Sequence, residues 1–157
     1  MTKTNAMRML DAAKIPYKVL EYTVDENDLS GMHIAEQLGF PPERMFKTLV
    51  AKGDKTGALV FCIPVADEID LKVAASVTGN KRIELIPVKD LLSLTGYIRG
   101  GVSPIGMKKK FPTWMDESAL NFEEITVSSG TRGAQLLLDR AALLQFVQAK
   151  TAHLTVK

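Results

Sequence analysis

Apolar residues recur at intervals of three and four along five segments of the chain, which is the spacing of a helix with one buried face. Several segments carry signals at their ends: Ser30 precedes one as an N-cap, Gly39 closes it, and Asp139 caps the last. The pattern predicts helices over residues 5–13, 30–38, 70–77, 87–94 and 139–149.

Shorter segments alternate between apolar and polar residues, or are continuously apolar, and these predict strands. The turn sequence Lys52–Gly57 separates two of them and predicts an antiparallel hairpin, whose second strand is apolar enough to lie centrally in a sheet. A second strand pair is predicted across Ser129–Gly133. The predicted strands cover residues 15–22, 45–51, 58–65, 82–86, 124–128 and 134–138.

The order of these elements predicts the fold class. Strands and helices are interspersed, but several connections are too short for crossover helices, which favours a mixed, largely antiparallel sheet over a doubly wound fold. With 157 residues, of which 46% are hydrophobic, the chain is long enough for one compact domain over residues 1–157. We therefore expect an α+β domain in which helices surround one sheet.

Charge, cysteine and histidine content exclude several classes of function. The formal net charge is +2, too small to indicate nucleic-acid binding by itself. Cys62 lies in an apolar run, which indicates a buried structural thiol, and neither His33 nor His153 belongs to a metal-binding motif, so no metal or cofactor is expected. The chain has neither a leader-like start nor the about 20 apolar residues that cross a membrane, so we expect a cytoplasmic protein without a membrane partner.

A glycine-dense loop, Gly-Tyr-Ile-Arg-Gly-Gly-Val-Ser-Pro-Ile-Gly, runs from Gly96 to Gly106 and is followed by lysines at 108–110. Glycine lets main-chain N–H groups approach a ligand closely, so the loop can present donors to an anionic or carbonyl oxygen. It matches neither the dinucleotide-binding motif nor the phosphate loop, and a tight surface turn is the alternative.

Two further segments carry candidate binding residues. Lys47 lies in an apolar strand pattern, where alternation places it with Leu49 on the face opposite Phe46 and Thr48. A lysine that lines a pocket tends to serve a ligand because its desolvation is costly, whereas alternation alone favours an ordinary solvent-facing lysine. The hydroxyl-rich loop Ser128–Gly133 is suited to bind a polar ligand, or to close an ordinary hairpin.

Taken in order, these motifs resemble the YbaK/EbsC family, the stand-alone relatives of the editing domain inserted in bacterial prolyl-tRNA synthetases. Each motif alone is weak, but the ordered set of a lysine strand, a Gly-Gly-x-Ser-Pro loop and a Gly-x-Arg-Gly loop is specific. The resemblance covers nearly the whole chain and implies a mixed sheet of barrel-like form wrapped in helices. Its matching segments are Tyr22, Phe46–Leu49, Pro64–Val65, Asp70–Lys72, Gly96–Gly106 and Val127–Gly133.

The resemblance implies a trans-editing aminoacyl-tRNA deacylase that clears mischarged tRNA, with Cys-tRNA(Pro) and also Cys-tRNA(Cys) as expected substrates. Editing is needed because rejection of a near-isosteric side chain by fit alone is worth only about 1–3 kcal/mol. In the mechanism proposed for the cysteine branch, the substrate thiol attacks its own ester carbon. The chain has no evident protein nucleophile, and such an enzyme needs only to orient its substrate and stabilise negative charge.

The resemblance also implies roles for individual residues. Lys47 would contact the aminoacyl carbonyl or the terminal ribose and phosphate, while the N–H groups of Gly100 and Gly101 stabilise the oxyanion, a contribution of about 2.7–4 kcal/mol per lost donor. The implied substrate-binding residues are Tyr22, Ser30, Ser103, Ser128, Ser129, Gly130 and Arg132. The implied tRNA-binding residues, for which a solvated loop is the alternative, are Arg99, Lys108, Lys109 and Lys110.

Three positions depart from the family pattern. Thr23-Val24 stands where relatives often carry a Glu-His-type pair, Gln135 where they often have an acidic residue, and Ser30-Gly31 where the cysteine branch can have an aromatic. These departures leave Ala-tRNA(Pro), or a tRNA carrying another small residue, open as substrate. A non-catalytic tRNA- or synthetase-binding module is the main competing function, and a phosphate or nucleotide enzyme ranks last.

The partners that the resemblance implies are aminoacyl-tRNA, namely tRNA(Pro) and also tRNA(Cys), and prolyl-tRNA synthetase. No DNA partner is expected. If the basic residues beside the glycine loop hold acceptor-stem phosphates, binding weakens as the salt concentration rises.

Overall fold

Helices surround two β-sheets in the computed structural model, which describes residues 2–156. The α-helices are α1 (Asn5–Ala12), α2 (Gly31–Leu38), α3 (Leu71–Thr78), α4 (Val88–Thr95) and α5 (Arg140–Val147). The strands are β1 (Tyr17–Glu21), β2 (Phe46–Gly53), β3 (Gly57–Pro64), β4 (Ile83–Leu85), β5 (Thr113–Asp116), β6 (Glu124–Ser128), β7 (Ala134–Asp139) and β8 (Lys150–Ala152). Single 3₁₀ segments occupy Pro42–Arg44 and Glu117–Asn121. The predicted α+β class is confirmed.

Local signals mark several ends of the predicted helices, although α5 ends at Val147 rather than at residue 149. Ser30, Asp70 and Asp139 each accept hydrogen bonds from main-chain N–H groups in the first turn of α2, α3 and α5. Gly39 and Gly79 close α2 and α3 in the left-handed conformation, which costs glycine no steric penalty. No helix within residues 2–156 has the length and apolar character to cross a membrane.

The strands form two sheets. The smaller has the order β1-β7-β6 and is antiparallel throughout, and the larger has the order β4-β2-β3-β5-β8. The antiparallel hairpin of β2 and β3 and the central place of β3 are confirmed. β5 runs parallel to both of its neighbours, so the larger sheet is mixed.

The prediction of one barrel-like sheet is wrong, because the strands form two sheets and neither is closed. Within residues 2–156, one parallel bridge joins the sheets, between Met45 and Thr126 beside the start of β2. One bridge cannot join two sheets into a continuous ladder. The short strands β5 and β8 were not predicted, and both pair with strands that lie far away in the sequence.

The main core lies between the two sheets and is closed by α1 and α5. Phe46, Val60 and Cys62 enter it from the larger sheet, and Val127 and Leu136 from the smaller. On the other face of the larger sheet, a second core packs β2 and β3 against α3. β3 is therefore buried on both faces, which explains its continuous apolar run.

Cys62 is fully buried, in agreement with a structural role. Burial raises the pKa of its thiol to about 12, and a contact with the Thr48 hydroxyl only partly opposes this. At neutral pH the thiol therefore remains protonated.

Asp116, at the end of β5, fixes the C-terminal segment. It is buried, and its carboxylate accepts hydrogen bonds from the Leu154 N–H at 2.9 Å and the Ser118 N–H at 3.2 Å. Asp116→Ala leaves the buried Leu154 N–H unpaired, and we expect a loss of about 1–3 kcal/mol in the free energy of unfolding.

Urea denaturation measures this loss as a lower midpoint at an unchanged m value. Asp116→Asn is the control, because its amide oxygen can still accept from Leu154. Equal midpoints for Asp116→Ala and wild type would show that this hydrogen bond does not hold the segment.

Candidate functional site

The middle of β2 lacks a partner strand within residues 2–156 on the edge away from β3. Met45, the residue before β2, forms the bridge to Thr126 of the smaller sheet. At the other end of β2, only Ala51–Gly53 pair with β4. The Ile86 N–H donates to the Val50 carbonyl at 2.9 Å, extending that ladder by one hydrogen bond. Among residues 2–156, no strand pairs with the stretch Lys47–Leu49 on this edge.

The gap presents main-chain polar groups. Alternate residues of an antiparallel strand direct their N–H and C=O groups to the same side. Since the Val50 carbonyl meets Ile86 on this edge, Thr48 two residues earlier directs its own N–H and C=O there as well. The strand therefore offers both a donor and an acceptor to whatever occupies the gap.

A cleft of about 520 Å³ occupies the gap. Its walls are the segment before and at the start of α2, the first half of β2, the segment from β4 into α4, and part of the glycine loop, with polar ends of β6 and β7 between them. The lining includes Asp28, Ser30, Ile34, Lys47, Thr48, Leu85, Ile86, Val88, Leu91, Arg99, Gly100, Val102, Ser128 and Gln135.

Lys47 lines the cleft and is partly buried. The predicted alternation of β2 is confirmed, because Phe46 packs into the main core and Leu49 against the second core. Burial lowers the pKa of the Lys47 ammonium from its ordinary value of 10.5, and the negative charges of Glu68 and Asp67 oppose that shift without cancelling it. The strand thus holds a desolvated cation at the edge of a cleft.

The glycine loop reaches the cleft through Arg99, Gly100 and Val102. Gly100 has φ +87, a left-handed conformation that favours glycine. The N–H of Gly101 donates to the Ile98 carbonyl at 2.9 Å, whereas no protein acceptor within residues 2–156 is found for the N–H of Gly100. The two adjacent glycines therefore differ in their free hydrogen-bonding capacity.

The glycine loop packs against the turn between β6 and β7. A Cβ on Gly101 would lie 3.1 Å from the backbone of Thr131, so a larger residue would push the two loops apart by a few tenths of an ångström. The Arg132 guanidinium donates to the Arg99 carbonyl at 2.8 Å. The Tyr97 hydroxyl donates to the Ile105 carbonyl at 2.5 Å and braces the loop from within. The glycine loop and the turn between β6 and β7, which are separate motifs in the sequence, therefore pack together as one wall.

The structure brings some of the predicted site residues together and not others. Lys47, Ser30, Arg99, Gly100 and Ser128 line the cleft. Tyr22 lies in a small adjoining pocket that it shares with Gly100 and His33. The remaining predicted loop residues, which are not in the cleft lining, are Gly101, Ser103, Ser129, Gly130 and Arg132.

Several of those loop residues have contacts that hold the wall in shape. Ser103 is fully buried and accepts from the Ile105 N–H, and Ser129 is buried with its N–H donating to the Ala134 carbonyl. The three lysines 108–110 are exposed and lie outside the cleft lining, and Lys110 contacts Gln148.

Sequence reasoning noted Gln135 only as a departure from the family pattern, and did not place Thr48 or the apolar residues of α4 in the site. Gln135 is buried in β7 and pairs with the Thr126 hydroxyl at 3.2 Å. A polar residue inside the apolar run of β7 was a usable signal. For the apolar residues there was none, because a leucine facing a cleft and a leucine facing a core have the same local pattern.

The sequence profile of the aminoacyl-tRNA editing domain matches residues 32–146. The chain belongs to this family. The resemblance inferred from the ordered motifs is confirmed, and the matched range of the editing domain contains Lys47, the glycine loop and most residues of both cores.

Relatives with assigned names agree with this membership. The editing domain is 49% identical over 155 residues to a candidate Cys-tRNA(Pro)/Cys-tRNA(Cys) deacylase, EbsC, of Enterococcus faecalis, covering 99% of this chain and 94% of that protein. It is 24% identical over 135 residues to a proline–tRNA ligase of Cupriavidus necator, covering 84% of this chain and 24% of the ligase. A crystal structure described as a candidate trans-editing enzyme for prolyl tRNA synthetase matches with TM-score 0.83 at 25% identity, over 100% of both chains.

The desolvated charge of Lys47 has a consequence for stability. Its folded-state pKa lies below 10.5, so between these two values the unfolded chain binds more protons and stability rises with pH. Lys47→Met removes the buried charge and keeps an apolar stem. We expect a higher urea midpoint than wild type at pH 7, and a difference that shrinks as the pH approaches 10.5.

Lys52→Met is the matched control, because Lys52 lies on the same strand and is exposed. Its midpoint should equal that of wild type at every pH. A lower midpoint for Lys47→Met at pH 7 would show that the contacts of the ammonium outweigh its desolvation.

Proposed function

We propose that this editing domain deacylates mischarged tRNA in trans, with Cys-tRNA(Pro) as its main substrate and Cys-tRNA(Cys) as a second. The observation that carries the proposal is the common cleft of Lys47 and Gly100, a desolvated cation and a free main-chain donor. The nearly full-length similarity to the Enterococcus faecalis candidate deacylase supports the choice of substrate.

The proposed chemistry uses the substrate's own nucleophile. The cysteinyl thiol loses its proton as its sulfur bonds to the ester carbon, and the carbonyl oxygen becomes an oxyanion. The carbon–oxygen bond to the terminal ribose then breaks, the ribose oxygen takes up a proton, and the cysteinyl group leaves as a thiolactone that water opens. No protein side chain has to form a covalent bond.

Lys47 and Gly100 would stabilise the oxyanion. Because Lys47 is partly buried, water screens its interaction with developing negative charge less than at a fully exposed site. The N–H of Gly101 already donates to the Ile98 carbonyl, which supports a donor role for the N–H of Gly100 rather than for both glycines. Gly101 contributes by allowing the close approach to Thr131 that fixes the loop.

The small aminoacyl group would lie toward Ser30 and Ser128, beside the adjoining pocket of Tyr22. Ser103, Ser129, Gly130 and Arg132 would act through the shape of the wall rather than by contact. Arg99 at the cleft and Lys108–Lys110 beside it would meet acceptor-stem phosphates.

Prolyl-tRNA synthetase is the proposed partner, because it is the origin of the mischarged tRNA. The cytoplasm is the proposed location. The whole chain 1–157 would act as one domain without a cofactor.

The first test compares wild type with Lys47→Ala on Cys-tRNA(Pro), Cys-tRNA(Cys) and Ala-tRNA(Pro). We expect wild type to turn over the two cysteinyl substrates, and Lys47→Ala to lose about 10²-fold or more in kcat, as when one oxyanion contact is removed. Lys52→Ala, exposed on the same strand, is the matched control and should keep wild-type rates.

Each alternative predicts a different result in this assay. No turnover by wild type would favour a binding module. Faster turnover of Ala-tRNA(Pro) than of the two cysteinyl substrates would show that alanine, not cysteine, is the preferred aminoacyl group. Unaltered rates in Lys47→Ala would remove the lysine from the mechanism.

A second test displaces the proposed donor. Gly100→Ala strains the backbone at φ +87 and places its Cβ 3.1 Å from the Arg132 Nε, so we expect the loop and the contact of Arg132 with it to adjust. Because a displacement of about 1 Å in a catalytic group can cost about 10²-fold, we expect a loss of that order in kcat.

Gly79→Ala is the control for backbone strain. It has φ +78 at the end of α3, and its added Cβ would meet no atom within 4 Å. Both variants should lose stability, but only Gly100→Ala should lose rate in single-turnover deacylation. Equal rates in the two variants would exclude Gly100 as a donor.

A further inference from the structure

An acidic turn, residues 64–70, follows β3 and carries Asp67 and Glu68. The register of the larger sheet places it beside Lys47. Lys47 lies opposite Ile63, Phe46 lies opposite Pro64, and the turn begins there, with the Asp67 N–H donating to the Pro64 carbonyl at 3.0 Å. The acidic turn therefore meets β2 from the side of β3, whereas the cleft lies along the other edge of the strand.

The acidic turn and Lys47 also share one face of the larger sheet. Leu49 is two residues from Lys47, so its side chain points to the same face, and it packs against the second core. Ile69, which adjoins Glu68, packs against that core as well. The packing of Ile69 thus holds the acidic turn on the face of the sheet from which Lys47 projects.

The C-terminal segment fixes the backbone of the acidic turn. The Val156 N–H donates to the Glu68 carbonyl at 2.9 Å, and the Asp70 N–H donates to the Leu154 carbonyl at 2.8 Å. The residues between these two hydrogen bonds form an antiparallel bridge. The side chain of Glu68 is exposed, but the backbone that carries it is held in place.

The carboxylates of the acidic turn act on Lys47 without occupying it. Burial lowers the pKa of the Lys47 ammonium, and of the negative charges that oppose this shift Glu68 has the larger effect and Asp67 the smaller. Among residues 2–156, no carboxylate forms an ion pair with Lys47. Neither acidic residue lines the cleft, so the space for a substrate remains free.

Two other charged residues lie near Lys47, and both line the cleft itself. Asp28 belongs to the segment before α2, and Arg99 to the glycine loop. Their charges are opposite in sign, and neither is among the groups that shift the pKa of Lys47. The acidic turn is therefore the source of negative charge that supports the ammonium.

We propose that Glu68, with Asp67 as its weaker neighbour, is a positioning residue that acts through Lys47. Its carboxylate holds the lysine in the charged form, and because the two groups form no ion pair, the ammonium hydrogens remain available to the substrate. The inference rests on the proposed function, in which the charge of Lys47 stabilises an oxyanion. A neutral lysine would lose most of that stabilisation.

The first experiment follows the protonation of Lys47 without turnover. Lysine labelled with ¹³C at Cε and ¹⁵N at Nζ is titrated by NMR, and the Lys47 signal is identified by its absence in Lys47→Met. We expect a lower titration midpoint in Glu68→Gln, because the charged form loses a favourable neighbour, and a smaller decrease in Asp67→Asn. Glu68→Asp keeps the charge and should stay closer to wild type.

The salt dependence of that difference is a further readout. Groups that interact without contact are screened by ions, and the screening length falls to about 3 Å at about 1 M salt. The difference between wild type and Glu68→Gln should therefore shrink at high salt.

Glu84→Gln is the matched control, because Glu84 is exposed in β4 and lies opposite Lys52 rather than Lys47. It removes the same charge from the protein and should leave the Lys47 midpoint unchanged. Equal shifts in Glu84→Gln and Glu68→Gln would show an effect of net charge alone and would overturn the inference.

The second experiment measures kcat on Cys-tRNA(Pro) against pH, corrected for spontaneous hydrolysis. Deprotonation of Lys47 removes the oxyanion contact, so kcat should decline on the alkaline side, and Glu68→Gln should move that decline to lower pH. There we expect a kcat about threefold or more below wild type at the same pH, with equal rates near about pH 6. A merely structural role for Glu68 would lower kcat by the same factor at every pH.

The outcomes separate the role of Glu68 from the proposed function. The expected NMR shifts without deacylation by wild type would support the link between Glu68 and Lys47 and overturn the proposed function. An unchanged midpoint in Glu68→Gln would overturn the inference while deacylation still stands. A shifted midpoint with an unshifted pH profile of kcat would also overturn it, because the charge of Lys47 would then not govern the rate.

Discussion

The site depends on one strand that is paired at both ends and unpaired in the middle on one edge. β2 follows a bridge to the smaller sheet and finishes in a ladder with β4, and Lys47–Leu49 lie between these attachments. If β4 were longer, or if the sheets joined along more residues, main-chain hydrogen bonds would fill the space that the cleft occupies. The incomplete pairing is therefore what separates the two sheets and makes room for a ligand.

The walls of that space are held by contacts that leave little freedom. Gly101 brings two loops into backbone contact, Arg132 ties the turn to Arg99, and Tyr97 braces the glycine loop internally. Preorganised donors stabilise a transition state because they need not reorient as charge develops. Under the proposed substrate-assisted mechanism the protein supplies positioning and electrostatics, and such a mechanism depends on this rigidity.

Local signals predicted most of the elements, whereas contacts between distant residues were less accessible. Caps such as Ser30 and closing glycines such as Gly39 act within one turn, so the sequence near them was sufficient. The strands β5 and β8 are stabilised by parallel partners far along the chain, and the closure of the sheets depends on one bridge at Met45. The residues next to β5, β8 and Met45 in the sequence therefore do not indicate these pairings.

The candidate site was predictable to the extent that motifs mark it. Lys47 and Gly100 were found through the order of their motifs, but the hydrogen bond that occupies the N–H of Gly101 depends on a turn whose conformation the sequence does not specify. Leu91 was missed because only the fold decides whether an apolar side chain faces a core or a cleft.

The burial of Cys62 matters for a protein that is proposed to handle thiol substrates. The chain has one cysteine, and its sulfur is enclosed by the core and remains protonated. Thiol–disulfide exchange requires an accessible thiolate, so this sulfur cannot form mixed disulfides with cysteinyl esters or with the cysteine that they release. The fold thereby protects the catalyst from covalent capture by its own substrate.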